Sequence, residues 1–235
     1  MSIHASAGEA GVAAAEQVAE LVRSNPAAVL GLATGSSPLP LYEALARKAV
    51  DMSAVTAFAL DEYIGLPAGH TQSYATVIRT HVIEPLGMTT GSVHVPDGNP
   101  EDEEHAGGAY EAAIAAAGGI DLQILGIGSN GHLGFNEPGA PFSSRTRAVT
   151  LADRTRRDNT RFFGTLEAVP TRAVTQGLAT IFDARHLLLI AHGSGKAQAI
   201  RRALTGPVTE EFPASLIQLH PSATVVLDRE AAALL

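Results

Sequence analysis

The sequence predicts an α/β fold, a doubly wound and mainly parallel sheet with helices on both faces. Three observations point there. Short aliphatic runs alternate with segments of helical periodicity, and several of the runs stop at turns rich in glycine, serine or acid. Of the 235 residues, 46% are hydrophobic and only 17% charged, so a sizeable aliphatic core is available. Strands alternating with helices imply parallel pairing, because parallel neighbours need a crossover between them. The length suits one domain spanning residues 1–235.

The first helix is expected from about Ser6 to Arg23. Ser6 with Glu9 fits a capping box, Val12, Val18, Leu21 and Val22 supply an apolar stripe, and Asn25-Pro26 ends it. Ala28 to Leu32 reads as a buried strand, followed by the tight loop Ala33-Thr34-Gly35-Ser36-Ser37 and by Pro38 in a helical first turn. Further strands are expected at Thr56 to Leu60, Asp121 to Leu125, His186 to Ala191 and Thr224 to Leu227, with a helix near Ala197 to Leu204. The acidic run Glu101-Asp102-Glu103-Glu104 precedes an Ala-rich segment and reads as first-turn charge complementing a helix dipole. The whole is a Rossmann-like pattern, in which ligands sit outside the carboxyl ends of the strands.

Composition excludes several function classes. A formal charge of −8, from 16 basic and 24 acidic residues, argues against a nucleic-acid surface. The absence of Cys removes disulfides, thiolate catalysis and Cys-ligated metals. No apolar run approaches the roughly 20 residues that span a bilayer. Met1 to Glu9 lacks the basic and apolar regions of a secretory leader, so a cytoplasmic location and no membrane partner are expected.

Two loops are candidates for holding an anion. Thr34-Gly35-Ser36-Ser37 and His192-Gly193-Ser194-Gly195-Lys196 each offer backbone N–H groups and hydroxyls ahead of a helix, the second with an ammonium. Either, alone, also reads as an ordinary N-cap, and neither has the full Walker A pattern. Arg145, Arg147, Arg154, Arg156, Arg157 and Arg161 form a basic cluster from which one or two arginines can clamp a phosphate. Asp61-Glu62 stands at a strand end, as a turn or as acid–base chemistry. Gly128-Ser129-Asn130-Gly131-His132-Leu133-Gly134-Phe135-Asn136-Glu137-Pro138 places an imidazole and a carboxylate five residues apart among glycines. A His132 ring oriented by Glu137 is suited to moving protons near neutral pH. Their spacing is not that of helical metal ligands, and no metal is expected.

Together these segments resemble the glucosamine-6-phosphate deaminase (glucosamine-6-phosphate isomerase) family. The resemblance also takes in Ser144-Arg145-Thr146-Arg147, Asn159-Thr160-Arg161-Phe162-Phe163 and Gln218-Leu219-His220-Pro221, in the family's order over nearly the whole chain. It implies conversion of glucosamine 6-phosphate and water to fructose 6-phosphate and ammonia. Asp61 would carry a proton from C2 to C1, and His132 with Glu137 and Asn130 would open the pyranose ring. Ser36, Ser37, Arg161 and Lys196, with Thr34 and Gly35, would hold the phosphate, and residues from about 151 to 174 would form a mobile lid. No cofactor is implied, because the substrate's own nitrogen becomes the imine.

The chain departs from some members at two places. Asn130 stands where they carry Asp, which leaves Glu137 as the main partner of His132. Val149 stands where allosteric hexameric members carry Lys, and those members have a longer C-terminus. The resemblance therefore implies a monomer or small homo-oligomer without activation by N-acetylglucosamine 6-phosphate. Rival readings are a galactosamine-6-phosphate deaminase or isomerase, a 6-phosphogluconolactonase on the same fold, and a sugar-phosphate sensor domain.

Overall fold

The computed structural model describes residues 1–103 and 105–235. Seven strands form a parallel sheet: β1 (Ser2–His4), β2 (Val29–Leu32), β3 (Thr56–Ala59), β5 (Val93–His94), β6 (Leu122–Leu125), β9 (Leu187–Ala191) and β10 (Ala223–Asp228). Their order is β1-β10-β9-β6-β2-β3-β5. The second sheet is antiparallel, with β8 (Arg172–Thr175) between β4 (Asp61–Tyr63) and β7 (Arg147–Thr150). The helices are α1 (Ala7–Ser24), α2 (Leu39–Arg47), α3 (Tyr74–Ile78), α4 (Glu84–Leu86), α5 (Gly108–Ala116), α6 (Asp153–Phe163), α7 (Leu178–Phe182) and α8 (Ala197–Thr205).

From β2 the chain winds through α2 to β3 and on toward β5; from β6 it winds the other way, to β9 and through α8 to β10. Right-handed crossovers running in opposite directions put α2 and α8 on opposite faces of the sheet. The order reverses between β2 and β6, and a crevice opens there beyond the carboxyl ends. The expected doubly wound sheet is therefore present, and the interior strands are buried on both faces, as their unbroken aliphatic runs require.

Helix α1 begins as its sequence dictates. Ser6 Oγ accepts from Glu9 N, while Glu9 Oε2 reaches back to Ala5 N, one residue before the position a regular capping box uses. Such a cap contributes about 1 kcal/mol. Its buried seam differs from the expected stripe. Val12 is 46% exposed, and the face against the sheet consists of Ala10, Gly11, Ala14, Ala15, Val18, Ala19 and Val22. Small side chains let α1 approach α2 closely: a Cβ on Gly11 would lie 2.6 Å from Pro40.

The acidic run also differs from expectation. Glu104 lies outside the described residues, and α5 starts only at Gly108, where Glu111 supplies the first-turn acid. Glu103 instead pairs with Arg172 on β8. A small aromatic cluster fills the space under the second sheet: Tyr63, Phe135, Leu151 and Ala173, with Tyr74 and Phe163 packed against them. Tyr63 contacts Tyr74, Phe135 and Phe163 at centroid distances of 4.8, 5.3 and 5.4 Å.

Candidate active site

The turns after β2, β3, β6 and β9 open into one cleft of about 800 Å³. Thr34, Gly35, Ser36, Ser37, Asp61, His132, Arg161 and Lys196 all line it. Residues up to 162 positions apart in sequence thus face a common space, as the switch point of the sheet requires. Asn130 and Glu137 stand behind His132 and touch the cleft through it.

The first candidate loop is held from beneath. Tyr42 Oη donates to Ala33 O at 2.8 Å and accepts from Ala33 N at 3.2 Å. Gly35 then takes φ +82°, a conformation open to glycine, and turns the chain toward α2. The second loop contributes less backbone than its sequence suggests. Gly193 N donates to the Asp228 carboxylate at 2.9 and 3.0 Å, and Ser194 N to Glu230 Oε2 at 3.2 Å. Those amides are spent on acids of the C-terminal segment. What reaches the cleft is Gly195 and the Lys196 ammonium, which donates to Ile127 O at 2.6 Å. Burial lowers the Lys196 pKa, Arg161 lowers it further, and Asp158 opposes both. His192, the first residue of the second candidate loop, lines the cleft and donates from Nε2 to Ser36 O at 3.2 Å, joining the two loops.

Asp61 is 4% exposed, and its Oδ1 has no hydrogen-bond partner among the described residues. Burial raises its pKa to about 8, helped by the charge of Glu62 and opposed by the Thr34 hydroxyl. Its neighbour Glu62 is structural. The Glu62 carboxylate accepts from Tyr63 N, Tyr74 N, Ala75 N and Ser73 Oγ at 2.8 to 3.1 Å, which satisfies free amides at the start of α3. The Gly134 backbone packs so closely that a Cβ there would lie 2.8 Å from Thr175 Oγ1 and 3.3 Å from Asp61 Oδ2.

The glycines after β6 have a similar task. The His132 ring lies against Gly128, where a Cβ would come within 2.3–2.4 Å of three ring atoms. His132 Nδ1 is 3.7 Å from Glu137 Oε2 and 3.4 Å from Thr155 Oγ1. Asn130 Nδ2 donates to the same Glu137 oxygen at 2.7 Å, and Asn130 Oδ1 accepts from His132 N at 3.2 Å. Burial pushes the Glu137 pKa up, but His132, Thr155 and Asn130 outweigh it and bring it down to about 2. Glu137 is therefore a fixed anion beside the imidazole.

The arginines divide. Arg161 and Arg154 line the cleft. Arg145 pairs with Asp183, Arg147 donates to Asn136 Oδ1 at 3.0 Å, and Arg156 donates to the carbonyls of Leu166 and Val169. Tyr74, Phe163 and Asn159 also line the cleft and were not foreseen as site residues. Their aromatic and amide types carry no local signal for such a place. The His220 ring is structural, directed at the backbone carbonyls of Ser222, Phe182 and Ala184. Among the described residues no group of three or more His, Asp or Glu is placed to hold a metal ion, and no helix is long and apolar enough to cross a membrane.

Fold and site together define a doubly wound α/β protein whose cleft gathers a glycine–serine turn, an ammonium, an imidazole and a buried carboxyl group. Residues 3–226 match the model of the glucosamine-6-phosphate isomerases/6-phosphogluconolactonase family, and the chain belongs to that family. The glucosamine-6-phosphate deaminase of Pseudarthrobacter chlorophenolicus is 54% identical over 228 residues, covering 96% of this chain and 88% of that protein. That of Streptomyces coelicolor is 52% identical over 223 residues, covering 93% and 85%. A solved structure described as a monomeric glucosamine-6-phosphate deaminase superposes with a TM-score of 0.97 at 39% identity, covering 100% of this chain and 99% of that one. The 6-phosphogluconolactonase of Trypanosoma brucei has a TM-score of 0.79 at 20% identity, covering 100% and 97%, which is a likeness of fold alone.

Proposed function

We propose that this chain is a glucosamine-6-phosphate deaminase, converting glucosamine 6-phosphate and water to fructose 6-phosphate and ammonia. The observation that carries the reading is a buried, high-pKa Asp61 and a Glu137-backed His132 in one cleft with the Thr34–Ser37 loop and Lys196. A lactonase has no use for a base at carbon, whereas an enolising deaminase does.

Ring opening comes first, because the closed sugar has no acidic C–H. With its Nδ1 side toward Glu137 and Thr155, His132 takes the O1 proton at Nε2 and returns it to O5 as the C1–O5 bond breaks. Asp61 as carboxylate then removes the C2 proton. The C–H electrons form C1=C2, and the former carbonyl oxygen takes a proton from the substrate's C2 ammonium, which leaves a neutral enolamine. Asp61 returns its proton to C1, the enolamine electrons shift, and a protonated imine is left at C2. Water adds there, its protons pass to the departing nitrogen, and the nitrogen leaves as ammonium, so the steps balance without a cofactor. A positioned base contributes roughly 10²–10⁴-fold, and desolvation makes Asp61 a far better base at carbon than a free Asp of pKa about 3.9. Thr34, Gly35, Ser36, Ser37, Arg161 and Lys196 bind the phosphate, and Asn130 holds Glu137.

The single domain carries a lid at about 151–174, whose last residues, Ala173 and Val174, lie in β8 opposite Tyr63 and Glu62 on the strand of Asp61. The molecule acts as a monomer or small homo-oligomer in the cytoplasm, and Val149 in place of a lysine leaves it unresponsive to N-acetylglucosamine 6-phosphate. Coupled detection of ammonia and fructose 6-phosphate, with glucosamine and galactosamine 6-phosphates side by side, tests the reading. Stoichiometric release of both products from glucosamine 6-phosphate is expected; no ammonia from either sugar would overturn it.

A further inference from the structure

Helix α6 is polar along nearly all its length. Among the described residues its one buried side chain is Thr155, 2% exposed. A hydroxyl taken out of water needs a partner, and Thr155 Oγ1 finds His132 Nδ1 at 3.4 Å. The same hydroxyl helps to hold Glu137 ionised. Two neighbouring contacts seat the helix on that part of the cleft: Ser129 Oγ donates to Asp158 Oδ2 at 2.9 Å, and Asn159 Nδ2 donates to Tyr63 Oη at 2.9 Å. Arg161, six residues beyond Thr155 on the same helix, lines the cleft.

We propose that Thr155 is a positioning residue through which the seating of α6 fixes the His132 ring and its Nδ1–H tautomer. The hydroxyl accepts from Nδ1–H, and Nε2 is then the basic nitrogen; it has no protein partner among the described residues. Glu137 at 3.7 Å is too distant from Nδ1 to hold the ring alone, so a second acceptor is what the geometry lacks without Thr155. Arg161 at the cleft and Thr155 at the ring thus stand on one helix, so a single element carries a cleft-facing cation and the hydroxyl that holds the ring. The inference rests on the deaminase reading for its catalytic consequence, but the tautomer itself does not.

Thr155→Val keeps the shape and removes the hydroxyl; Thr155→Ser keeps the hydroxyl. In nitrogen-15 NMR of histidine-labelled, ligand-free protein, His132 is expected as the Nδ1–H tautomer in the wild type and in Thr155→Ser, and as a mixture in Thr155→Val. In turnover of glucosamine 6-phosphate, Thr155→Val is expected to lose kcat by about tenfold or more, part of the roughly 10²–10⁴-fold a positioned acid–base group contributes. Thr155→Ser should stay within about threefold of the wild type, and both variants should bind the open-chain analogue 2-amino-2-deoxyglucitol 6-phosphate with unchanged Kd. An unchanged tautomer in Thr155→Val, or a serine variant as impaired as the valine one, would overturn the proposal. A wild type that releases no ammonia would sink the deaminase reading, while the NMR comparison would still decide the role of Thr155.

Discussion

Asp61 and Glu137 carry the same functional group at the floor of one site, yet their surroundings drive them apart. Each has one buried oxygen with no partner among the described residues, but Asp61 is desolvated beside the like charge of Glu62 with only the Thr34 hydroxyl opposing, so its pKa rises to about 8. Glu137 follows a glycine-rich turn and is surrounded by an amide, an imidazole and a hydroxyl, and its pKa falls to about 2. Desolvation acts upward on both; hydrogen bonding to the charged form decides between them. Carboxyl groups whose surroundings separate their pKa values take separate roles. Here the sparsely hydrogen-bonded one suits a base that exchanges protons with carbon, and the well hydrogen-bonded one suits a permanent anion behind a histidine.

The largest effect that tests this contrast is at Asp61. Asp61→Asn should retain sugar-phosphate binding and lose turnover by at least roughly 10²–10⁴-fold; near-normal kcat would remove Asp61 from the chemistry. Glu137→Gln should cost less, about 10- to 100-fold in kcat, because the imidazole remains and only its anionic backing is lost. A loss equal to that at Asp61 would merge the two roles.

The pH profile comes next. The base works only when ionised, so kcat/KM should climb about tenfold per unit toward an acid-limb midpoint near 8. An acid limb near 4 would show that Asp61 is not the group being titrated.

Stability gives the smallest and most diagnostic difference. The folded pKa of Asp61, about 8, lies above its ordinary 3.8, so the folded state holds a proton the unfolded chain releases. Between those values the wild type loses stability as pH rises, by up to about 1.4 kcal/mol per unit. Asp61→Asn should therefore show a Tm advantage that grows from about pH 4 to 8. Glu137 has the reverse sign: its folded pKa of about 2 lies below 4.5, so its contribution is complete above pH 4.5 and is lost as the pH falls toward 2. Glu137→Gln should lower Tm at neutral pH and approach the wild type in acid. Parallel Tm changes in the two variants would erase the distinction.

The parallel sheet was legible because each of its interior strands is a local event. Val29–Leu32, Leu122–Leu125 and Leu187–Ala191 are aliphatic runs that stop at a turn signal, and their ends fall within a residue or so of expectation. The second sheet was not legible. Its strands are three or four residues long, and two of them share the sequence Arg-Ala-Val-Thr, at 147–150 and 172–175. Those identical segments pair antiparallel across the whole of α6, with Arg147 opposite Thr175. No turn residue announces a pairing at that separation. The alanine seam of α1 was missed for a related reason: hydrophobic pattern favours Val12, but close approach to α2 favours small side chains.

By itself the sequence determined the alternation of strands and helices, the loops at the strand ends, and which residue types were available for acid–base work and phosphate binding. These follow from propensity, periodicity and turn chemistry, which act over a few residues. Tertiary structure alone decided that Gly193 and Ser194 would give their amides to Asp228 and Glu230, that Glu62 would cap a helix while Asp61 faced the cleft, and that Thr155 would reach His132. The burial and partners of a side chain depend on elements brought from far along the chain, and those two properties set its pKa.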